Sequence, residues 1–332
     1  MRAVIRSLRS DEAGVASTVG TIMALLVFLT FISLIVNQYV PAWMKDSEAS
    51  HMNTALGQFG GIKGSIDLQM LAAEAAQDAG TFHIPVTTAT AVGLGVDGVP
   101  IFAAATQGKL ESNPNNGPFT VNFTYSIQGV RRFVSERAGG AVELDAANRY
   151  YLAQRIAYEN GAVIRYQLDG QFVRVHPTFS VLTANNSLDI SFALVGLYGF
   201  GAITGSSVEI VSTQLFAYDR QDYLSFPSDA VIWINHTSRY ALAWYNFMNQ
   251  TLAGTLKLGG TFGPTFCGTT FTAKIGATSI YSICWSLNPL SGFYTMRLAI
   301  YNRPGVMSLS AFRLQHAQVQ VGVGDATQQV PF

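Results

Sequence analysis

The sequence predicts a mainly β protein carried on one N-terminal transmembrane helix, with a helical stalk that lays one face on the β-sandwich-like ectodomain following it, and one helix inserted among the strands. Three observations predict it. The run Val15 to Val36 contains no charged residue. Beyond Gly80 the apolar residues recur with a period of two, the repeat of strands with one buried face. The composition is rich in Gly (31), Phe (21) and Tyr (14), which favours strands and turns.

As a helix the charge-free run would be about 33 Å long, close to the roughly 30 Å of a bilayer's hydrocarbon core. A buried core helix of that length would carry a polar stripe, and this one has only scattered Ser and Thr. A cleavable secretory signal would be shorter and end in a small-x-small site. Here the run leads into Asn37-Gln38-Tyr39-Val40-Pro41-Ala42-Trp43, which offers none. Arg2, Arg6 and Arg9 precede the span and only Lys45 follows it closely. The positive-inside rule then keeps the N-terminus cytoplasmic and sends the rest outward, as an extracellular domain on a single-pass anchor. Tyr39 and Trp43 suit the outer interfacial belt, and Pro41 should kink or end the helix. Ala16, Gly20 and Ala24 lie four apart on one helical face, a spacing that lets a second helix approach closely.

The stretch Asp11-Glu12-Ala13-Gly14-Val15-Ala16-Ser17-Thr18-Val19-Gly20, followed at once by the apolar helix, resembles the start of an archaeal type IV pilin-like protein. The resemblance implies a membrane peptidase cutting between Gly14 and Val15, with the helix retained and available to other pilin-like subunits. Ala13 stands where that family usually has Lys or Arg, and Val19 where many members have Glu. The start is therefore similar to the looser, surface-protein version of the motif. The segment from Gly139 to Phe216 resembles a group of archaeal surface proteins with the same kind of N-terminus. It does so through Gly139-Gly140, Asn148-Arg149-Tyr150-Tyr151, Tyr158-Glu159-Asn160-Gly161-Ala162-Val163-Ile164, Gln167 and Thr204-Gly205-Ser206. That likeness implies location and build, and no activity.

The chain divides into a leader (1–14), the transmembrane helix (15–40), a helical stalk (41–80), a first β subdomain (81–138) and a second (139–332). In the stalk Ala55, Leu56, Phe59, Ile62, Ile66, Leu68, Met70 and Leu71 form an apolar stripe, while Gly57, Gly60, Gly61 and Gly64 interrupt its helix propensity. The division after 138 rests on the charged stretch Arg131, Arg132, Glu136 and Arg137; a solvated loop inside one continuous sheet is the alternative. Alternation marks strands at Phe119–Ile127, Leu188–Leu194, Tyr294–Ile300 and Val319–Val323. Gly, Pro and Asn clusters punctuate them. The inserted helix runs from Ser238 to Thr251, with Thr237 or Ser238 as cap and Ala241, Leu242, Tyr245, Met248 and Leu252 as its stripe.

Cys267 and Cys284 are the only cysteines, too few for a four-cysteine zinc site. In an extracellular domain a disulfide between them is the natural reading. Sequons at Asn122, Asn185, Asn235 and Asn249 make the chain a candidate glycoprotein. The formal net charge is zero, which gives nucleic acid no basic face to bind. The histidines are scattered, and no zinc-protease, nucleophile-elbow or phosphate-loop motif occurs. Gly93-Leu94-Gly95-Val96-Asp97-Gly98 matches a dinucleotide fingerprint, but Val99-Pro100 follows where a helix is needed, so it reads as a turn. Glu143, Asp145 and Glu159 read as a solvated face, and Trp233, Trp244, Trp285, Phe179 and Tyr198 as core. No cofactor or metal is expected. Three functions follow in order: a non-enzymatic, pilin-like structural component of an archaeal cell surface; an anchored binding protein for a surface polymer, sugar or envelope partner; and, favoured only by size, an anchored hydrolase. The lipid bilayer is the partner common to all.

Overall fold

The computed structural model describes residues 11–99, 102–265 and 267–324. Helix α1 (Asp11–Leu34) passes through a π turn (Ile35–Tyr39) into α2 (Val40–Asp78) without a break. No residue of α1 from Ala16 onward is buried. Pro41 does not end the helix. It lies in the first turn of α2, where the widened turn ahead of it already disturbs the backbone ladder that its missing N–H would interrupt. The stalk glycines do not break the helix either. Met52, Phe59, Ile62 and Ile66 are buried at every turn or so of one face. Each such side chain stabilises the packed helix by about 1.5–3 kcal/mol, against a cost of about 1 kcal/mol per glycine.

Eighteen described strands follow: β1 (Thr87–Gly93), β2 (Gly108–Asn113), β3 (Phe119–Ile127), β4 (Val130–Ala138), β5 (Ala141–Ala146), β6 (Gln154–Glu159), β7 (Ala162–Gln167), β8 (Gly170–Val175), β9 (Phe179–Ala184), β10 (Ser187–Tyr198), β11 (Gly201–Gly205), β12 (Val208–Tyr223) and β13 (Val231–Ser238), then α3 (Ala241–Leu256), then β14 (Gly260–Thr265), β15 (Gly268–Ile275), β16 (Thr278–Asn288), β17 (Phe293–Tyr301) and β18 (Ser308–Val323). They form three sheets, ordered β1-β12-β18-β10-β9, β11-β2-β5-β6-β7-β8 and β14-β15-β16-β17-β13-β3-β4. The head is thus mainly β and sandwich-like, with one inserted helix.

Two apolar cores fill it. One gathers the buried face of α2 with Val92, Leu110, Leu144, Tyr158 and the far half of β18. The other gathers Phe119, Phe123, Phe192, Trp244, Tyr281 and Phe312 around α3. Strands β10 and β18 run through both: Phe192 and Phe312 belong to one core, Val195 and Val319 to the other. They pair in parallel, unlike the other described strand pairs.

The strands of 81–138 go to all three sheets, β1 to the first, β2 to the second, β3 and β4 to the third, so residue 138 is not a boundary between sheets. Its charged stretch is strand β4, an edge whose arginines face solvent. Helix α3 begins three residues later than the sequence suggests and extends to Leu256. Its first turn is capped from elsewhere: Ala243 N–H donates to Gln171 Oε1 of β8 (3.3 Å). Trp244 and Phe179 lie in the core as expected, but Trp233 and Tyr198 stand on the surface, 39% and 42% exposed.

Candidate functional site

The most concentrated polar chemistry lies where β5, β6, β13 and α3 meet. Strand β6 turns into β7 through Asn160 (φ +46°) and Gly161 (φ +78°), a two-residue hairpin whose positive φ values suit an Asn-Gly pair. The Asn160 side chain clamps this turn to β10, accepting from Val195 N–H (2.7 Å) and donating to Ala193 O (3.2 Å). Glu159 is thereby held inside, with no exposed surface. Its Oε1 accepts from Trp244 Nε1–H (2.9 Å) and Ser238 Oγ–H (3.2 Å), and lies 2.8 Å from His236 Nε2. The His236 ring stacks on Phe119 at 3.7 Å, and its Nδ1–H points at Pro118 O (3.2 Å).

Glu159 Oε2 is buried with no hydrogen-bond partner among the described residues. Gly117 covers it so closely that a Cβ there would fall 2.2 Å from that oxygen. Glu143 of β5 lies on the same sheet face: it pairs with Ala157, and Ala141 pairs with Glu159. Asn116 Nδ2 donates to Glu143 Oε1 (3.2 Å). Burial pushes the Glu143 carboxyl above its ordinary value, and the charge of Glu159 adds to that. A cavity of about 200 Å³ opens between the two carboxylates, walled by Asn115, Asn116, Pro118, Ser238 and Phe293.

The expected solvated acidic face is therefore corrected for Glu159, which is fully buried; Glu143 is half-buried beside it, while Asp145 stays at the surface in an ion pair with Arg155 (2.7 Å). The arrangement is not a nucleophile triad. Ser238 Oγ and the carboxylate share one imidazole nitrogen, and a backbone carbonyl takes the other, so no acid orients the ring from behind. What the corner can do is tie β6, β13 and α3 together and accept one further donor at Glu159 Oε2.

A second constellation lies at the base of the head. The Glu48 carboxylate, fully buried on α2, accepts from Arg149, Tyr150 and Tyr151 N–H (3.0, 2.8 and 2.6 Å) and from Thr106 Oγ–H (2.7 Å). Consecutive backbone N–H groups form an anion-binding concavity, here filled by the protein's own side chain. The Asn-Arg-Tyr-Tyr segment thus has a structural role.

The remaining expected sites are dispersed. Gly14 and Val15 fall on α1, and residues 1–10 lie outside the described residues. Ala16, Gly20 and Ala24 are exposed, with nothing within 4 Å of a Cβ built at Gly20. Asn122 and Asn235 share the outward face of one sheet, Asn185 is exposed in the β9–β10 turn, and Asn249 accepts from Tyr281 OH (3.0 Å). Cys267 and Cys284 are joined in a disulfide, with Cα atoms 6.0 Å apart. Gly95 serves a close backbone approach, since a Cβ there would fall 1.9 Å from Thr106 O. Among the described residues no group of three or more His, Cys, Asp or Glu is placed to hold a metal. Comparison with protein-family models, with curated proteins and with solved structures gives no match for this chain.

Proposed function

We propose that this protein is a non-enzymatic structural component of an archaeal cell surface, pilin-like in build, cut between Gly14 and Val15, with its N-terminus cytoplasmic and its head outside. The continuity of one helix carries this reading. Its first part is long and apolar enough to cross a membrane and is exposed on every side, and its second part is a core element of the head. Anchor and head are therefore joined by one unbroken helix, as a subunit that transmits position or load requires. The exposed small-residue seam Ala16, Gly20 and Ala24 supports contact with a second helix of the same kind. The shared outward face of Asn122 and Asn235 supports glycans there.

Mass spectrometry of the mature protein from its native membrane tests the reading, because a processed chain begins at Val15 and carries sequon mass additions. An intact Met1 together with a strictly monomeric chain would overturn the pilin-like part. A second reading, an anchored binding protein, is favoured by the cavity beside Glu143 and Glu159.

A further inference from the structure

We infer that the head does not stand off the bilayer on a free stalk but rests on the lipid headgroups through the loop Asn148–Leu152 and the neighbouring turn at Phe102. This inference rests on the membrane-anchor reading above. The apolar run ends at Val36 and the polar pair Asn37-Gln38 follows. Val40 and Met44 are each only 1% exposed, so the head already covers one face of the helix there. Val40 lies four residues beyond Val36, about 6 Å along a helix. The headgroup layer is about 5–8 Å thick on each side, from an overall 40–45 Å less a core of about 30 Å. The part of the head that covers Val40 therefore coincides with that layer.

The chemistry of this underside fits headgroups. At the same level Tyr39 and Trp43 stand out from the helix, both about half exposed. The Glu48 carboxylate fixes the base loops against α2, through three backbone N–H groups on one side and Thr106 on the other. Asn148 Nδ2–H donates to Leu152 O (2.9 Å) and closes the first loop on itself. From this rigid frame Arg149, Tyr150, Leu152 and Phe102 remain exposed. A cation, aromatic rings and an aliphatic chain exposed on neighbouring loops are what a bilayer interface retains, since rings settle among the headgroups and arginine meets phosphate.

The test places a fluorophore on single cysteines in the full chain, reconstituted into phosphatidylcholine vesicles with a minor phosphatidylglycerol fraction. The native cysteines are joined to each other and do not compete for label. Three positions are compared: Leu152→Cys at the base, Val27→Cys in the span, and Leu224→Cys. The last is 68% exposed and adjoins the strand whose Arg220 binds Asp78, thirty residues, or about 45 Å, along α2 from Glu48. Headgroup-attached quencher lipid should remove most of the signal at 152 and leave 224 unchanged, while chain-attached quencher removes the signal at 27. Equal, unquenched signals at 152 and 224 with 27 quenched would overturn the footing and leave the anchor standing. An unquenched signal at 27 would overturn both.

Discussion

The Glu48 carboxylate takes four donors, three of them consecutive backbone N–H groups, and has no solvent to fall back on. Glu48→Gln places an amide NH₂ against one of those donors while keeping the shape. Bonds to a charged group contribute about 1.5–3 kcal/mol each, so the substitution should cost about 3 kcal/mol in urea unfolding of the detergent-solubilised protein. A change within 0.5 kcal/mol, on the scale of ordinary surface substitutions, would remove Glu48 from this role. Glu143 gives a pH signature. Burial raises its folded pKa above the ordinary 4.5, so the stability linked to it is full below that value and lost as pH rises through the raised one. The stability of the native protein relative to a Glu143→Gln variant should accordingly decline on going upward from about pH 4.5. A pH-independent difference would contradict the assigned burial. None of this corner is legible in the sequence, because Glu159 and His236 lie 77 positions apart and their meeting depends on which sheet each strand joins. The available signal was the run Ile156-Ala157-Tyr158-Glu159-Asn160-Gly161, an acid directly after an apolar run and before a hairpin dipeptide.

At the scale of elements, α2 carries glycines that its own packing does not require. A Cβ built at Gly60 or Gly64 meets nothing within 4 Å. Each change to Ala should therefore raise the stability of the isolated subunit, by about 0.5–1 kcal/mol, in thermal unfolding. A loss of stability would mean that some neighbour fills that space. The Cys267–Cys284 disulfide closes a separation of 17 residues, and replacing both by Ser should cost about 3 kcal/mol in the chain-entropy model. Unfolding of the oxidised and reduced protein side by side measures it. Strands β3 and β17 were legible because one face is core and the other wet: Phe119, Val121 and Phe123 are buried, as are Met296, Leu298 and Ile300. Strand β4 was not, because an edge strand mostly outside the core has no alternation to display, and its charges guard the edge against foreign pairing. The stalk was legible as a helix over 41–80 from its apolar stripe, close to the observed Val40–Asp78, and tertiary burial sustains it through glycines whose propensity argues locally against a helix.

Across the whole molecule, the three sheets share strands from distant parts of the chain, which no linear division anticipates. The β1–β12 and β10–β18 pairings each join segments more than a hundred residues apart. The period of two gave the strands and left their partners open, since register between remote strands depends on shape complementarity that one chain's pattern does not encode. For the proposed topology, protease added to intact cells should remove everything after Pro41 and leave a small membrane-bound fragment. Full protection of the head would reverse the assigned orientation.

The place of β18 has a consequence for how the molecule comes into being. This last described strand lies between β12 and β10, at the middle of its sheet, and reaches into both cores. Until residues 308–323 have left the ribosome, β12 and β10 face each other across an empty slot and neither core can close. From Gly93 at the end of β1 to Ser308 is 215 residues, so at about 5–20 residues per second the nascent head waits on the order of ten seconds or more with its strand edges open. A helix already seated in the bilayer would hold each such chain apart from its neighbours during that interval. On the proposed anchor reading, the helix would act first as a spacer during biogenesis and only later as an attachment.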